Sequence, residues 1–233
     1  MISPRRSSAS DRRLAALAAF AGLSLLVVAM VAVRIAYTGS EAFLNLPWNL
    51  FLAWVPFVLA LLVYDQAGRG AGTTRLLALG GLWLLFFPNA PYLVTDFKYV
   101  GWYDEAPWWY DVTLLSAGAC AGLALGFASL YLMHAVARRL WGAAKAWLGV
   151  GIVLVLGSFG VFLGRFQRWN SWDVFTDPAP LFAQLARGVV NPLDYPHAIA
   201  ATIVFAAFLG ATYLVFYTFA GLSNVLGDES RSV

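Results

Sequence analysis

FFPNAPYLVTD, residues 86–96, breaks an apolar run with two prolines, an asparagine and an aspartate, and its reading decides how the rest of the chain must be arranged. The run before it, Leu76 to Phe87, is twelve residues long, about 18 Å of helix at ~1.5 Å per residue. A bilayer's hydrocarbon core is about 30 Å thick. Unless the helix begins earlier, through Thr73 and Thr74, the turn Pro88-Asn89-Ala90-Pro91 therefore lies at membrane depth. Pro88 and Pro91 lack a backbone donor and disfavour helix in the residue before each, so the third span is expected to be re-entrant or unwound there. Irregular backbone at that depth is tolerated only where protein or a wet cavity covers it. Something in the rest of the chain must cover Asn89 and Asp96.

The whole chain belongs in a membrane. Its 233 residues are 61% hydrophobic and 12% charged, with mean hydropathy +0.72, whereas soluble domains are about one quarter charged. The net charge of +3 is spread over loops, which leaves no basic stripe for nucleic acid. Cys120, the single cysteine, excludes an internal disulfide and a multi-cysteine metal site and reads as a small buried hydrophobe. No metal site and no cofactor is indicated, and nothing sets the oligomeric state. Membrane lipids are the partners that the composition implies.

Outward from the break, the pattern predicts an all-α polytopic bundle of about six spans. Residues 1–13 read as a polar tail, 14–222 as one transmembrane domain and 223–233 as a second tail. The first span, Leu14 to Val33, is too long for a secretory h-region and ends near Arg34. The second runs from Leu46 to Tyr64 with Pro56 inside, and a glycine-rich hairpin leads to the third. The loop FKYVGWYDEAPWWYD follows, read as an aromatic belt at headgroup level. The fourth span, Val112 to Val136, carries Gly118, Gly122 and Gly126 on one face, a row that lets another backbone approach closely. The fifth, Ala146 to Gly164, has Gly160 and Gly164. If its helix continued, Arg165, Arg168, Trp169 and Trp172 would share a face. Asp177-Pro178 opens a short helix, Pro178 to Gly188, of interfacial type. Asn191-Pro192 turns the chain, and the sixth span runs from Pro196 to near Ala220.

With six spans both termini share a side. Ten of the fifteen basic residues lie on that side, which the positive-inside rule makes cytoplasmic. Asn45, Asn49, Asn89, Asp96, Asp104, Asp111, Arg165, Arg168, Asn170 and Asp173 then converge on the outer face. The candidate binding set is Asn89, Asp96, Asp111, Arg165, Arg168, Trp169, Asn170, Trp172 and Asp173. Guanidinium suits phosphate or carboxylate, and indoles suit a sugar face or a cationic headgroup. The alternative for the arginines is headgroup anchoring or an ion pair with Asp96, Asp111 or Asp173, and for Asn89 a helix cap. His134 and His197 fall at opposite ends of their spans, which excludes a shared zinc site.

The strings WLLFFPNAPYLVTD (83–96), the repeated WYD, SLYLMH (129–134) and GRFQRWNSWD (164–173) resemble the bacterial integral-membrane family catalogued as domain of unknown function 1361. The resemblance covers roughly the second to sixth spans. Phe162 stands where tyrosine is expected, which removes any role for a hydroxyl there. The resemblance implies a bacterial multi-pass inner-membrane protein and transfers no activity.

The residues themselves support an outward-facing site for an anionic or lipid-linked envelope component. A small-solute transporter lined by the broken third span is the first alternative, although FFPNAP has no counterpart in the other half. The second is a membrane scaffold that uses its glycine rows for partner helices. No catalytic dyad is defined.

Overall fold

The computed structural model describes residues 9–190 and 195–229. Most of the expected N-terminal tail (1–8), the turn at Asn191-Pro192 and residues 230–233 lie outside them. The chain is all-α, with no strand among the described residues. Six of its helical segments are long and apolar enough to cross a membrane. In order come α1 (Ala9–Thr38), α2 (Asn45–Gly68), α3 (Thr73–Phe86), α4 (Asn89–Tyr92), a 3-10 helix (Leu93–Tyr99) and α5 (Trp108–Trp141). Then follow α6 (Ala143–Phe166), α7 (Asp173–Thr176), α8 (Pro178–Val190) and α9 (Pro196–Glu229).

Several helices outrun their apolar stretches, because intrahelical hydrogen bonding does not stop at a polar residue. α1 does not end near Arg34. It continues to Thr38, where Gly39 takes φ +68° and its N–H donates to the Ile35 carbonyl at 2.8 Å, a left-handed stop that suits glycine. α9 likewise continues into the segment expected to be a tail. At the end where α1 begins and α9 finishes, Arg13 and Asp65 form an exposed ion pair at 2.8 Å, and Arg139 donates to the Tyr64 hydroxyl at 3.1 Å.

α2 and α5 form the centre. Half or more of their most apolar stretches is buried in the protein, 50% and 56%, against 11% for α1 and α9, which border the bundle. Leu46, Leu50, Ala53 and Phe57 recur at helical spacing on α2 and meet Leu114, Ala121 and Leu125 of α5. A second cluster joins Trp83, Phe127, Leu154 and Tyr213 across α3, α5, α6 and α9. Lipid is as apolar as these side chains, so close packing, not escape from water, holds such helices together. The same fact explains Cys120, which is exposed on α5 and not buried as expected. An apolar run in a membrane helix does not say which residues face protein.

The third span starts at Thr73, before its apolar run, so α3 is 14 residues, about 21 Å, still short of a bilayer core. The break is neither re-entrant nor unwound. After α3 the chain makes one short helical turn, α4, and then tightens into the 3-10 helix. Pro88 and Pro91 offer no N–H to the carbonyls of Leu84 and Phe87, and Ala90 N instead reaches Phe87 O at 3.2 Å while Tyr92 N reaches Pro88 O at 3.0 Å. Local helical bonding is thereby kept at the cost of regularity. Asp96 falls inside the 3-10 helix, 1% exposed, and does not begin an outer loop.

Candidate functional site

Two glycine rows clasp the break. A Cβ on Gly122 would sit 2.4 Å from the Ala90 carbonyl oxygen, and one on Gly126 would be 3.1 Å from the Ala90 side chain. From the other side, a Cβ on Gly157 would meet Phe87 at 2.8 Å and one on Gly160 would meet Pro88 at 2.5 Å. Both rows are therefore filled from inside the chain. The scaffold alternative assigned them to partner helices, whereas the chain's own broken span packs on them.

The end of α3 is capped from a distant segment. Asn89 Nδ2 donates to the Phe86 carbonyl and to Ser171 Oγ, both at 2.9 Å, and Ser171 Oγ donates to the Leu85 carbonyl at 3.0 Å. Proline-broken helices need such substitutes, since a buried carbonyl without a donor costs about 1–3 kcal/mol. Asn89 Oδ1 takes no donor among the described residues.

Below the break lies a buried ion pair. Arg165 Nη2 donates to Asp96 Oδ1, and its Nε donates to Thr95 Oγ1 at 2.5 Å, whose hydroxyl donates to the Tyr92 carbonyl at 2.6 Å. The two charged side chains are 5% and 2% exposed. The guanidinium lies over the Tyr92 ring at 4.2 Å and faces Tyr99 at 5.7 Å. Asp96 Oδ2 has no hydrogen bond, although Asn49 lies beside the carboxylate.

Asp111 joins a different pair. Arg34 of α1 binds it through Nε at 2.7 Å and Nη2 at 3.1 Å, with side chains 0% and 5% exposed. Glu105 stands 3.6 Å from Arg34 Nη1, and Phe43 and Tyr103 face the guanidinium at 4.9 and 5.7 Å. Sequence reasoning passed over Arg34 as a residue ending a span. An arginine inside the helical pattern with aspartate on another span was the available signal, since intramembrane charges are costly unless paired.

The face predicted for Arg165, Arg168, Trp169 and Trp172 does not form. α6 stops at Phe166, and the N–H groups of Gln167 and Trp169 both turn back to the Leu163 carbonyl at 3.1 and 3.3 Å. Arg168 takes φ +61° and is exposed, so it is separated from buried Arg165. Asp173 accepts from the backbone N of Asn170 at 2.6 Å and from its Nδ2 at 3.3 Å, a local side-chain bond that closes the turn before α7.

What the segments do enclose is a cavity of about 270 Å³ beside the break. Asn89, Trp169 and Asn170 of the predicted set line it, together with Trp48, Asn49, Tyr92 and Ser171. Leu181 of α8 closes one side, and Trp169 Nε1 donates to Gln184 of the same helix at 2.7 Å. Trp172 stands behind the rim, edge-on to Trp48 at 6.4 Å. Trp48 is 53% exposed, so the cavity opens toward the bundle's outer surface. Arg165 and Asp96 do not line it. They back its wall through Tyr92 and Asn49. Asp111, Arg168 and Asp173 are not among its lining residues. Of the other wall groups, Asn49 was placed on the converging outer face by the sequence, whereas Trp48, Tyr92 and Ser171 carried no signal that set them apart.

No curated protein and no solved structure matches the chain. A family model, described as protein of unknown function (DUF1361), matches residues 48–216, from Trp48 in the cavity wall to Phe216 in α9, and the chain belongs to that family.

Proposed function

We propose that the cavity beside the broken third span receives the polar head of a lipid-linked envelope component, from the outer face of a bacterial inner membrane, with both termini in the cytoplasm. The observation that carries this reading is the composition of the wall. Three asparagines, a serine and a tyrosine supply neutral donors and acceptors between two indoles. Aromatic faces with amide and hydroxyl edges suit a hydroxyl-rich group such as a sugar ring. An anion has weaker support, because the charge of Arg165 is balanced by Asp96 and both are screened from the cavity. Arg165 instead lies over the Tyr92 ring and Asp96 beside Asn49, and these two neighbours touch the cavity. Trp48 and Phe51, stacked at 5.5 Å and more than half exposed, supply an apolar shoulder for the attached chain.

Native mass spectrometry of the gently purified protein tests this. A discrete adduct of lipid-linked sugar mass is expected on the wild type, with its occupancy at least tenfold lower in Trp169→Ala and Asn170→Ala. An adduct that survives both substitutions would show that this cavity does not hold it.

A further inference from the structure

A second cavity lies near the end of the bundle where α3 and α6 begin, a groove of about 370 Å³ between those helices with α5 as its floor. Its lining is apolar apart from Thr73 and His134, and no acidic residue lines it. Leu77, Leu140 and Trp141 line it and are 58%, 46% and 51% exposed, so the groove opens sideways, toward where lipid chains lie. Gly81 and Gly149 line it without side chains.

His134 is the exception to the apolar lining. It is 2% exposed, and Nε2 has no hydrogen-bond partner. Its Nδ1 stands 3.1 Å from the hydroxyl of Tyr213, which is 1% exposed and has no other hydrogen-bond partner among the described residues. A buried tyrosine hydroxyl with one neighbour is best satisfied by donating to it. Nδ1 is then the acceptor and Nε2 carries the proton. His134, a residue of the groove's wall packed against Trp147 and Tyr217, thus carries one buried N–H that lacks an acceptor oxygen.

The basic residues supply the rest. Arg75, Arg138, Arg139 and Lys145 are exposed and each adjoins a groove-lining residue in sequence, namely Leu76, Ala137, Leu140 and Ala146; Arg138 and Arg139 each spend one N–H on a tyrosine hydroxyl beside the groove, of Tyr217 and Tyr64, and keep their other donors. Arg138 lies four residues beyond His134 on the same face of α5, a rise of about 6 Å. Exposed cations flanking the groove, one donor without an acceptor a turn away along α5 and an apolar channel match the order of phosphate, ester carbonyl and acyl chain in one molecule. We propose that this groove is a specific site for one anionic glycerophospholipid, with an ester carbonyl on His134 Nε2–H, the phosphate among these basic residues and an acyl chain along Leu77, Gly81, Met133 and Val153.

The test is native mass spectrometry of the full chain with added phosphatidylglycerol or phosphatidylcholine. The wild type is expected to keep one phosphatidylglycerol per chain at activation energies that strip other lipids. Gly81→Leu and Gly149→Leu fill the groove, and a Cβ at either position meets nothing within 4 Å, so the bundle should fold while occupancy falls at least tenfold. His134→Phe should lower it to a similar degree, and Arg138→Gln combined with Arg139→Gln should abolish the preference for phosphatidylglycerol. Equal occupancy in wild type and both glycine variants would overturn the proposal even if His134→Phe failed to fold. So would retention of an isoprenoid quinone or a free fatty acid in place of the phospholipid.

Discussion

The Ala90 carbonyl oxygen sits so close to Gly122 that a Cβ there would lie 2.4 Å away. A backbone atom cannot rotate aside as a side chain does, so the contact ties the broken third span rigidly to α5. Gly122→Ala should therefore lower stability by about 1–3 kcal/mol through overpacking, and Gly160→Ala, aimed at Pro88, should do the same. Gly151→Ala, whose Cβ meets nothing within 4 Å, should be neutral or slightly stabilising. Thermal unfolding in detergent reads all three. A loss for Gly151→Ala equal to that for Gly122→Ala would place the glycine rows outside the break's support.

The Arg165 and Asp96 side chains are almost wholly removed from solvent, and removing one partner leaves the other charge buried and alone. Arg165→Gln or Asp96→Asn should each cost about 3–5 kcal/mol, while the double variant should cost less than the sum. The exposed Arg13–Asp65 pair should contribute only about 0–1 kcal/mol and weaken with added salt. A double-mutant cycle on each pair at two salt concentrations separates these behaviours. Additive effects at Arg165 and Asp96 would contradict the pairing.

Arg34 attaches α1 to the bundle, aided by the Tyr110 hydroxyl, which donates to the Met30 carbonyl at 2.8 Å. Little else of α1 is buried. Asp111→Ala should therefore raise hydrogen exchange in α1 while leaving α5 and α6 protected, and Arg34→Ala should reproduce the same pattern. Uniform loss of protection would mean that the pair supports the whole core.

Arg168 holds a left-handed backbone conformation that costs an L-residue roughly 1–2 kcal/mol. Arg168→Gly should raise the unfolding temperature by a few degrees and leave cavity binding intact, since Arg168 does not line the cavity. A drop in ligand occupancy would return Arg168 to the binding site.

The broken span was legible in the sequence because proline removes a specific donor at a specific place, and a twelve-residue run is too short for a bilayer by itself; the turns that carry the span on, from Thr73 to Tyr99, were not. The convergence of Asn89, Trp169 and Asn170 was legible too, since alternating spans bring the odd-numbered loops to one face and the even-numbered loops to the other. The partners were not. Arg165 and Arg34 each meet an aspartate across the bundle, at sequence separations of 69 and 77, and no local spacing chooses between Asp96, Asp111 and Asp173. The bend at Arg168 hid behind a helical pattern, because a helix stop made by a non-glycine residue leaves no compositional mark. The glycine rows announced close approach but not what approaches, and that choice turned out to lie within the same chain.

Asn89 carries two duties that substitution can separate. Its Nδ2 caps the Phe86 carbonyl and holds Ser171, while its Oδ1 is left for the cavity. Asn89→Asp keeps the acceptor and the size but removes the donor and sets a carboxylate against a carbonyl. Stability should fall by about 1–3 kcal/mol. Ser171→Ala, which leaves the Leu85 carbonyl without its donor, should cost a similar amount for the same reason. Trp169→Ala, by contrast, removes a partly buried indole whose one hydrogen bond goes to Gln184 of α8, and should change the unfolding temperature little while emptying the cavity. Measured together by thermal unfolding and adduct occupancy, the first two variants should move mainly stability and the third mainly binding. If Trp169→Ala destabilises as much as Asn89→Asp and binding tracks stability in all three, the cavity is a by-product of packing around the break and not a site.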